Sequence, residues 1–147
     1  MLHCITKGSG RNLLVLHGAT LDHRHMVETV EPLFKAREGW RRIYVDLPGH
    51  GQSPTEGVVT QEDLLSRVAA FMVATFPDEP FAIIGESRGS YIAQGLAYLR
   101  PDLVEGGVPD RAGRRALFGC RPDTRTPGHG CRPGSTRVAE RGGAPAL

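Results

Sequence analysis

Phe81-Ala82-Ile83-Ile84-Gly85-Glu86-Ser87-Arg88-Gly89-Ser90-Tyr91-Ile92-Ala93-Gln94-Gly95-Leu96-Ala97 runs from a short apolar segment, through a glycine-flanked serine, into a helical pattern. Four apolar residues in a row suit a strand buried on both faces of a parallel sheet. From Arg88 to Leu99 the apolar residues recur at helical spacing, and Pro101 stops the run. Gly85 and Gly89 stand two residues either side of Ser87. A chain that bends sharply from strand to helix there forces the serine into a strained conformation, and a Cβ at either flank would clash. The bend lifts the hydroxyl clear of the sheet and aims unpaired N–H groups of the helix start at one point beside it. A GxSxG can arise by chance in a chain with 19 glycines, so the strand before it and the helix after it carry the inference.

Outward from this bend the same alternation repeats. Leu2 to Lys7 reads as a short strand closed by Gly8-Ser9-Gly10, and Leu13 to His17 (LLVLH) as a strand buried on both faces. Asp22 can cap a helix reaching about Ala36, with Met26, Val27, Val30, Leu33 and Phe34 on its apolar face. Arg42 to Asp46 (RIYVD) is the next strand, followed by the turn-rich loop Leu47 to Gly57. Thr60 and Asp63 form a capping box for a helix carrying Leu64, Leu65, Val68, Phe71, Met72 and Phe76, ended by Pro77. Strand and helix in alternation predict a doubly wound α/β fold, with about four mainly parallel strands and helices on its flanks.

After Gly106 the pattern is lost. Residues 107–147 hold eight arginines, eight glycines and five prolines, but only five residues of the V/I/L/M/F/W/Y group. Such a segment buries too little apolar surface to offset its chain entropy, and a disordered tail is expected. The charge changes with it: ten basic against thirteen acidic residues in 1–106, then eight against three. The sequence therefore divides into an α/β part, 1–106, and a tail, 107–147. The abruptness of the change near Glu105 to Val108 predicts a truncated protein whose reading frame shifts there, which the downstream coding DNA tests.

Three cysteines with no CxxC spacing argue against a disulfide framework or a zinc site, and scattered free thiols suit a reducing compartment. No metal and no cofactor is expected. The N-terminus lacks a signal-peptide pattern, and no apolar run approaches the roughly 18 residues that span a bilayer. A cytoplasmic location without membrane contact follows as the expectation.

Two further motifs flank the bend. Leu16-His17-Gly18-Ala19-Thr20 follows a buried strand, and glycine lets its backbone approach closely enough for an N–H to pair with that of Arg88 as a two-donor oxyanion hole. Asp46-Leu47-Pro48-Gly49-His50-Gly51-Gln52-Ser53 reads as a scaffold turn shaping a pocket mouth, with His50 bonded inside the loop. The order LHG, D-x-PGHG-x-S, GxSxG over residues 2–106 resembles the α/β-hydrolase superfamily, of which it covers the N-terminal half. That resemblance implies Ser87 as nucleophile, Ala19 and Arg88 as oxyanion donors, and His17, Gly18, Gly85 and Gly89 as their support. It implies a small-molecule ester, thioester or amide substrate, and disfavours branches with an aspartate nucleophile, because a serine holds that place. It does not define an oligomeric state.

In this fold the acid and the histidine that activate the serine follow it in the chain. After Ser87 the acids are Asp102, Glu105, Asp110, Asp123 and Glu140, none behind a recognisable strand, and the one histidine, His129, reads as a tail residue. His23 and His25, two apart on a helix, point in different directions. The strand 81–84, central in the family, is expected here with one unpaired edge. The alternative function is a catalytically inactive relic acting as a binding protein. Nucleic-acid binding by the tail is disfavoured, since eight arginines are accompanied by one aromatic, Phe118.

Overall fold

A computed structural model describes residues 1–108. Five strands form one sheet in the order β1-β3-β2-β4-β5: β1 (Cys4–Lys7), β2 (Arg11–Leu16), β3 (Trp40–Val45), β4 (Phe81–Gly85) and β5 (Val104–Val108). Only β1 runs antiparallel, against β3; every other pairing is parallel. The α/β class and mainly parallel sheet expected from the sequence are present, with one strand more than the four read from it.

The apolar run of β2 has the reason that parallel sheets give it. Leu14 and Leu16 face one side, packed with Leu64, Val68 and Met72 of α2 (Gln61–Thr75) and Ile92 and Leu96 of α3 (Arg88–Leu99). Leu13 and Val15 face the other, with Met26 and Val30 of α1 (His23–Val30). A strand covered on both faces by helices can afford no polar alternation.

The helix ends follow the predicted chemistry. The Asp22 carboxylate accepts the Arg24 N–H at 2.9 Å. Around Thr60 the box is reciprocal: the hydroxyl accepts the Asp63 N–H at 3.1 Å and the Asp63 carboxylate accepts the Thr60 N–H at 2.9 Å. α1 is shorter than expected. It ends at Val30 and continues as a 3₁₀ turn, Glu31–Phe34, because Pro32 has no N–H to donate and its ring crowds the preceding turn. Leu33 is consequently 60% exposed, not on the buried face.

The unpaired edge expected on β4 is a second correction. β5 pairs with β4 from Val104 opposite Phe81 to Val108 opposite Ile84, with an irregularity at Phe81/Ala82. Its sequence, Val-Glu-Gly-Gly-Val, lacks the β-branched density that marks a strand, so backbone pairing with a formed neighbour sets it. Apart from residues 107 and 108, which complete β5, the tail lies outside the described residues. Among those residues no helix is long and apolar enough to cross a membrane.

Candidate active site

β2 and β4 are hydrogen-bonded parallel neighbours, so the loops leaving their carboxyl ends lie side by side. In open α/β sheets that edge is where ligands bind. Ser87 stands on the loop after β4, at the N-cap of α3, with φ +50° and ψ −110°, and it is exposed. That backbone region is unfavourable for a residue with a Cβ and persists only where its surroundings enforce it.

Both flanking glycines supply the enforcement. A Cβ on Gly85 would lie 2.6 Å from the carbonyl of Gly89, and one on Gly89 would lie 2.4 Å from the Leu16 oxygen. The glycines let α3 start directly against β4 and β2, as the motif required. The Glu86 N–H donates to Leu16 O at 3.0 Å, Gly89 N–H to Glu86 O at 2.8 Å, and the Ser90 hydroxyl to Gly85 O at 2.7 Å.

The loop after β2 approaches the same serine. A Cβ on Gly18 would stand 3.5 Å from the Cβ of Ser87. Thr20, at φ +65°, donates its hydroxyl to Ala19 O at 2.6 Å. Among the described residues no acceptor meets the backbone N–H of Ala19 or of Arg88.

His17 fixes this loop rather than touching Ser87. It is fully buried, its Nε2 accepts the Leu47 N–H at 2.9 Å, and its Nδ1 lies 2.7 Å from Gly18 O. Those partners assign the proton to Nδ1 and leave the ring neutral. Burial pushes its pKa below the ordinary imidazole value, more strongly than the bond to Gly18 raises it.

The Asp46 loop is the scaffold its glycines suggested. Asp46 is fully buried and accepts N–H bonds from His23 at 2.8 Å and Gln52 at 3.0 Å, with the His3 and His23 rings also against its oxygens. Burial pushes this carboxyl up, but those hydrogen bonds outweigh it and hold the pKa below the usual carboxylate value. A Cβ on Gly51, at φ +51°, would fall 2.3 Å from Asp46 Oδ2, so only glycine leaves room for the carboxylate. His50 bonds inside the loop, Nδ1 to Pro48 O at 3.0 Å. Gly49, His50 and Gly51 line an open cleft of about 510 Å³ together with Thr20, Arg24 and His25.

His23 and His25 do diverge, the first to Asp46 and the second to Glu86, where Nε2 and Oε2 are 2.8 Å apart. That His25–Glu86 contact links α1 to the residue before Ser87, and its partners lie 61 positions apart, beyond any local spacing signal. No described imidazole hydrogen-bonds Ser87. Asp102 binds Arg100 and Glu105 binds Arg11, so neither acid holds a histidine. His129, Asp110, Asp123 and Glu140 lie outside the described residues.

A mainly parallel sheet with a strained, exposed serine between strand and helix at its carboxyl edge defines an α/β architecture whose candidate site lies where the β2 and β4 loops meet. The chain belongs to the α/β hydrolase fold family, whose model matches residues 11–112. It is 30% identical over 103 residues to (E)-2-((N-methylformamido)methylene)succinate hydrolase of Acinetobacter baylyi, covering 70% of this chain and 38% of that protein. It is 36% identical over 103 residues to 2-succinyl-6-hydroxy-2,4-cyclohexadiene-1-carboxylate synthase of Escherichia coli O7:K1, covering 66% and 38%. An α/β superfamily hydrolase structure from Oenococcus oeni PSU-1 superposes with a TM-score of 0.68 at 30% identity, over 72% of this chain and 39% of that one. The chain thus spans about two fifths of the length of these two relatives.

Proposed function

We propose that the chain carries the nucleophile and oxyanion half of a serine hydrolase acting on a carboxylic ester, thioester or small amide. The observation that carries this reading is Ser87 itself: exposed, at φ +50°, between two glycines that nothing larger can replace. In the reaction Ser87 Oγ bonds to the substrate carbonyl carbon, its proton passing to a base, and the carbonyl π pair moves onto oxygen. The free N–H groups of Ala19 and Arg88 face that oxyanion, where one donor is worth about 3–4 kcal/mol of barrier. Collapse of the intermediate expels the alcohol, thiol or amine, and water then frees the acyl group from Ser87.

The base and its orienting acid are the missing partners among the described residues, and this favours a second reading. Without them the Ser87 edge of the sheet binds a substrate and turns it over slowly or not at all, as an inactive relic would. A fluorophosphonate probe separates the two. We expect faint labelling of this chain, abolished by Ser87→Ala. We expect strong labelling of a chimera whose residues after 106 come from the Escherichia coli relative. Labelling that survives Ser87→Ala would remove Ser87 from the role. Three cysteines without CxxC spacing support, on this reading, a reducing cytoplasmic location.

A further inference from the structure

We propose that His3, His23 and Asp46 form a binding site for a transition-metal dication, with Zn²⁺ the best match to their donors. The three are separated by 20 or more residues in the chain, which is why no spacing motif announces them. The fold brings them together. Antiparallel pairing of β1 with β3 leads to a bond from Asp46 N–H to His3 O at 3.0 Å. Ser53 adds a clasp, its hydroxyl accepting the His3 N–H at 2.9 Å and donating to Asp46 O at 2.6 Å. The start of α1 then lays His23 across the other carboxylate oxygen.

The donor atoms converge. His3 Nδ1 lies 2.8 Å from Asp46 Oδ2, His23 Nδ1 lies 2.9 Å from Oδ1, and all three ligand atoms fall within 4.8 Å of one another. With Zn–N and Zn–O bonds of about 2.0–2.2 Å, neighbouring ligands of a tetrahedral ion stand roughly 3.3–3.4 Å apart. With Oδ2 as the ligand, His3 has to retreat by about half an ångström, while His23, now on Oδ1, swings toward the ion. His3 has room to retreat, its side chain being 27% exposed. Two imidazoles and one carboxylate suit zinc, cobalt or nickel and exclude the all-oxygen shells of calcium and magnesium.

The surroundings are those of a metal carboxylate. Each Asp46 oxygen already takes one backbone N–H, from His23 or Gln52, which fixes its direction as ligating carboxylates need. Asp46 is closed to solvent while His3 and His23 are partly open, giving the ion a way in and a water the fourth position. Without metal, each Nδ1 carries a hydrogen toward the carboxylate. On binding, each Nδ1 offers its lone pair instead, and the hydrogen moves to Nε2 through solvent, with no net proton change for neutral rings. The ion would staple β1, the α1 start and the Asp46 loop, and two of these border the cleft.

Co²⁺ and Zn²⁺ titrations of the full chain test this, with Cys120, Cys131 and His129 changed to Ser, Ser and Gln so that the tail offers no soft ligands. We expect the visible ligand-field bands of four-coordinate Co²⁺, saturating at one ion per chain and displaced by Zn²⁺. Zn²⁺ should also raise the melting temperature. His3→Gln and His23→Gln keep an amide N–H for Asp46 but lose the imidazole ligand; each should weaken binding at least about tenfold. If either variant fails to fold, ¹⁵N shifts of the His3 and His23 rings decide. Metal on Nδ1 with hydrogen on Nε2 in both supports the site, and unchanged rings overturn it. Absence of saturable Co²⁺ binding, or binding that survives both substitutions, also overturns it.

Discussion

Ser87 holds its hydroxyl out by occupying backbone space that favours glycine. Such a residue costs roughly 1–3 kcal/mol, and a glycine there would relieve it while adding about 0.4–1 kcal/mol of unfolded-chain entropy to be lost. Ser87→Gly should therefore stabilise the chain by about 1 kcal/mol in urea denaturation, whereas Ser87→Ala, which keeps its Cβ, should change little. Equal stabilities for the two variants would mean that Ser87 stores no strain. His17 makes a second residue-scale claim. Its folded pKa is depressed from 6.5, chiefly by burial, so as pH falls the unfolded chain takes up the proton first. The unfolded state then binds more protons, and stability declines with falling pH. The His17 contribution is complete above 6.5 and is lost as pH drops through that value toward the lower folded one. In chelator, to keep metal out, the unfolding free energy should fall less steeply from pH 7.5 to pH 5, roughly one imidazole range, for His17→Gln than for the parent. Parallel curves would dispose of the neutral, Nδ1-protonated ring.

At the scale of elements, α3 is placed by glycines of two different kinds. A Cβ on Gly89 meets the Leu16 carbonyl oxygen at 2.4 Å, and a backbone oxygen in a parallel ladder cannot move aside. A Cβ on Gly95 meets only the side-chain end of Leu65, at 2.6 Å, on the partly buried flank of α2. Gly89→Ala should cost about 2–3 kcal/mol by prising α3 off β2. Gly95→Ala should come out within about 1 kcal/mol of neutral, because the helix-propensity gain of alanine offsets the rotation of Leu65. Thermal melts of the pair decide it, and reversal of the order would refute the packing. The same physics explains what could be read without coordinates. The start of α3, the Thr60–Asp63 box and the double-faced β2 were legible because local residues determine each of them. The apolar spacing that predicts α1 runs about six residues past its end, because it continues through Pro32, whose missing N–H outweighs the pattern. β5 was illegible because Val-Glu-Gly-Gly-Val acquires strand geometry only from β4.

Across the whole molecule, what the sequence hid is what only tertiary contact creates: the Asp46 cluster, the His25–Glu86 link and the far side of β4. The sheet order makes these features unequal in stability. β2 sits at its centre, Leu14 paired with Ile43 on one side and Ile83 on the other, with a helix layer over each face. β5 is the outermost strand, pairs only with β4 among the described residues, and joins it through an irregular register. The ion pair fastening its Glu105 to Arg11 is solvent-exposed and contributes little. Native proteins open in units that range from fraying edges to global unfolding, so β5 should open before the centre. In native-state hydrogen exchange the amides of Leu14, Val15 and Leu16 should exchange only through global unfolding. Those of β5 that bond to β4 should exchange at least about tenfold faster and with little sensitivity to denaturant, the mark of local opening. If the β5 amides prove as slow as those of β2, the outer edge of β5 has a pairing partner. The sheet would then extend beyond the five strands, and the same element would be the natural carrier of the acid that Ser87 lacks among the described residues.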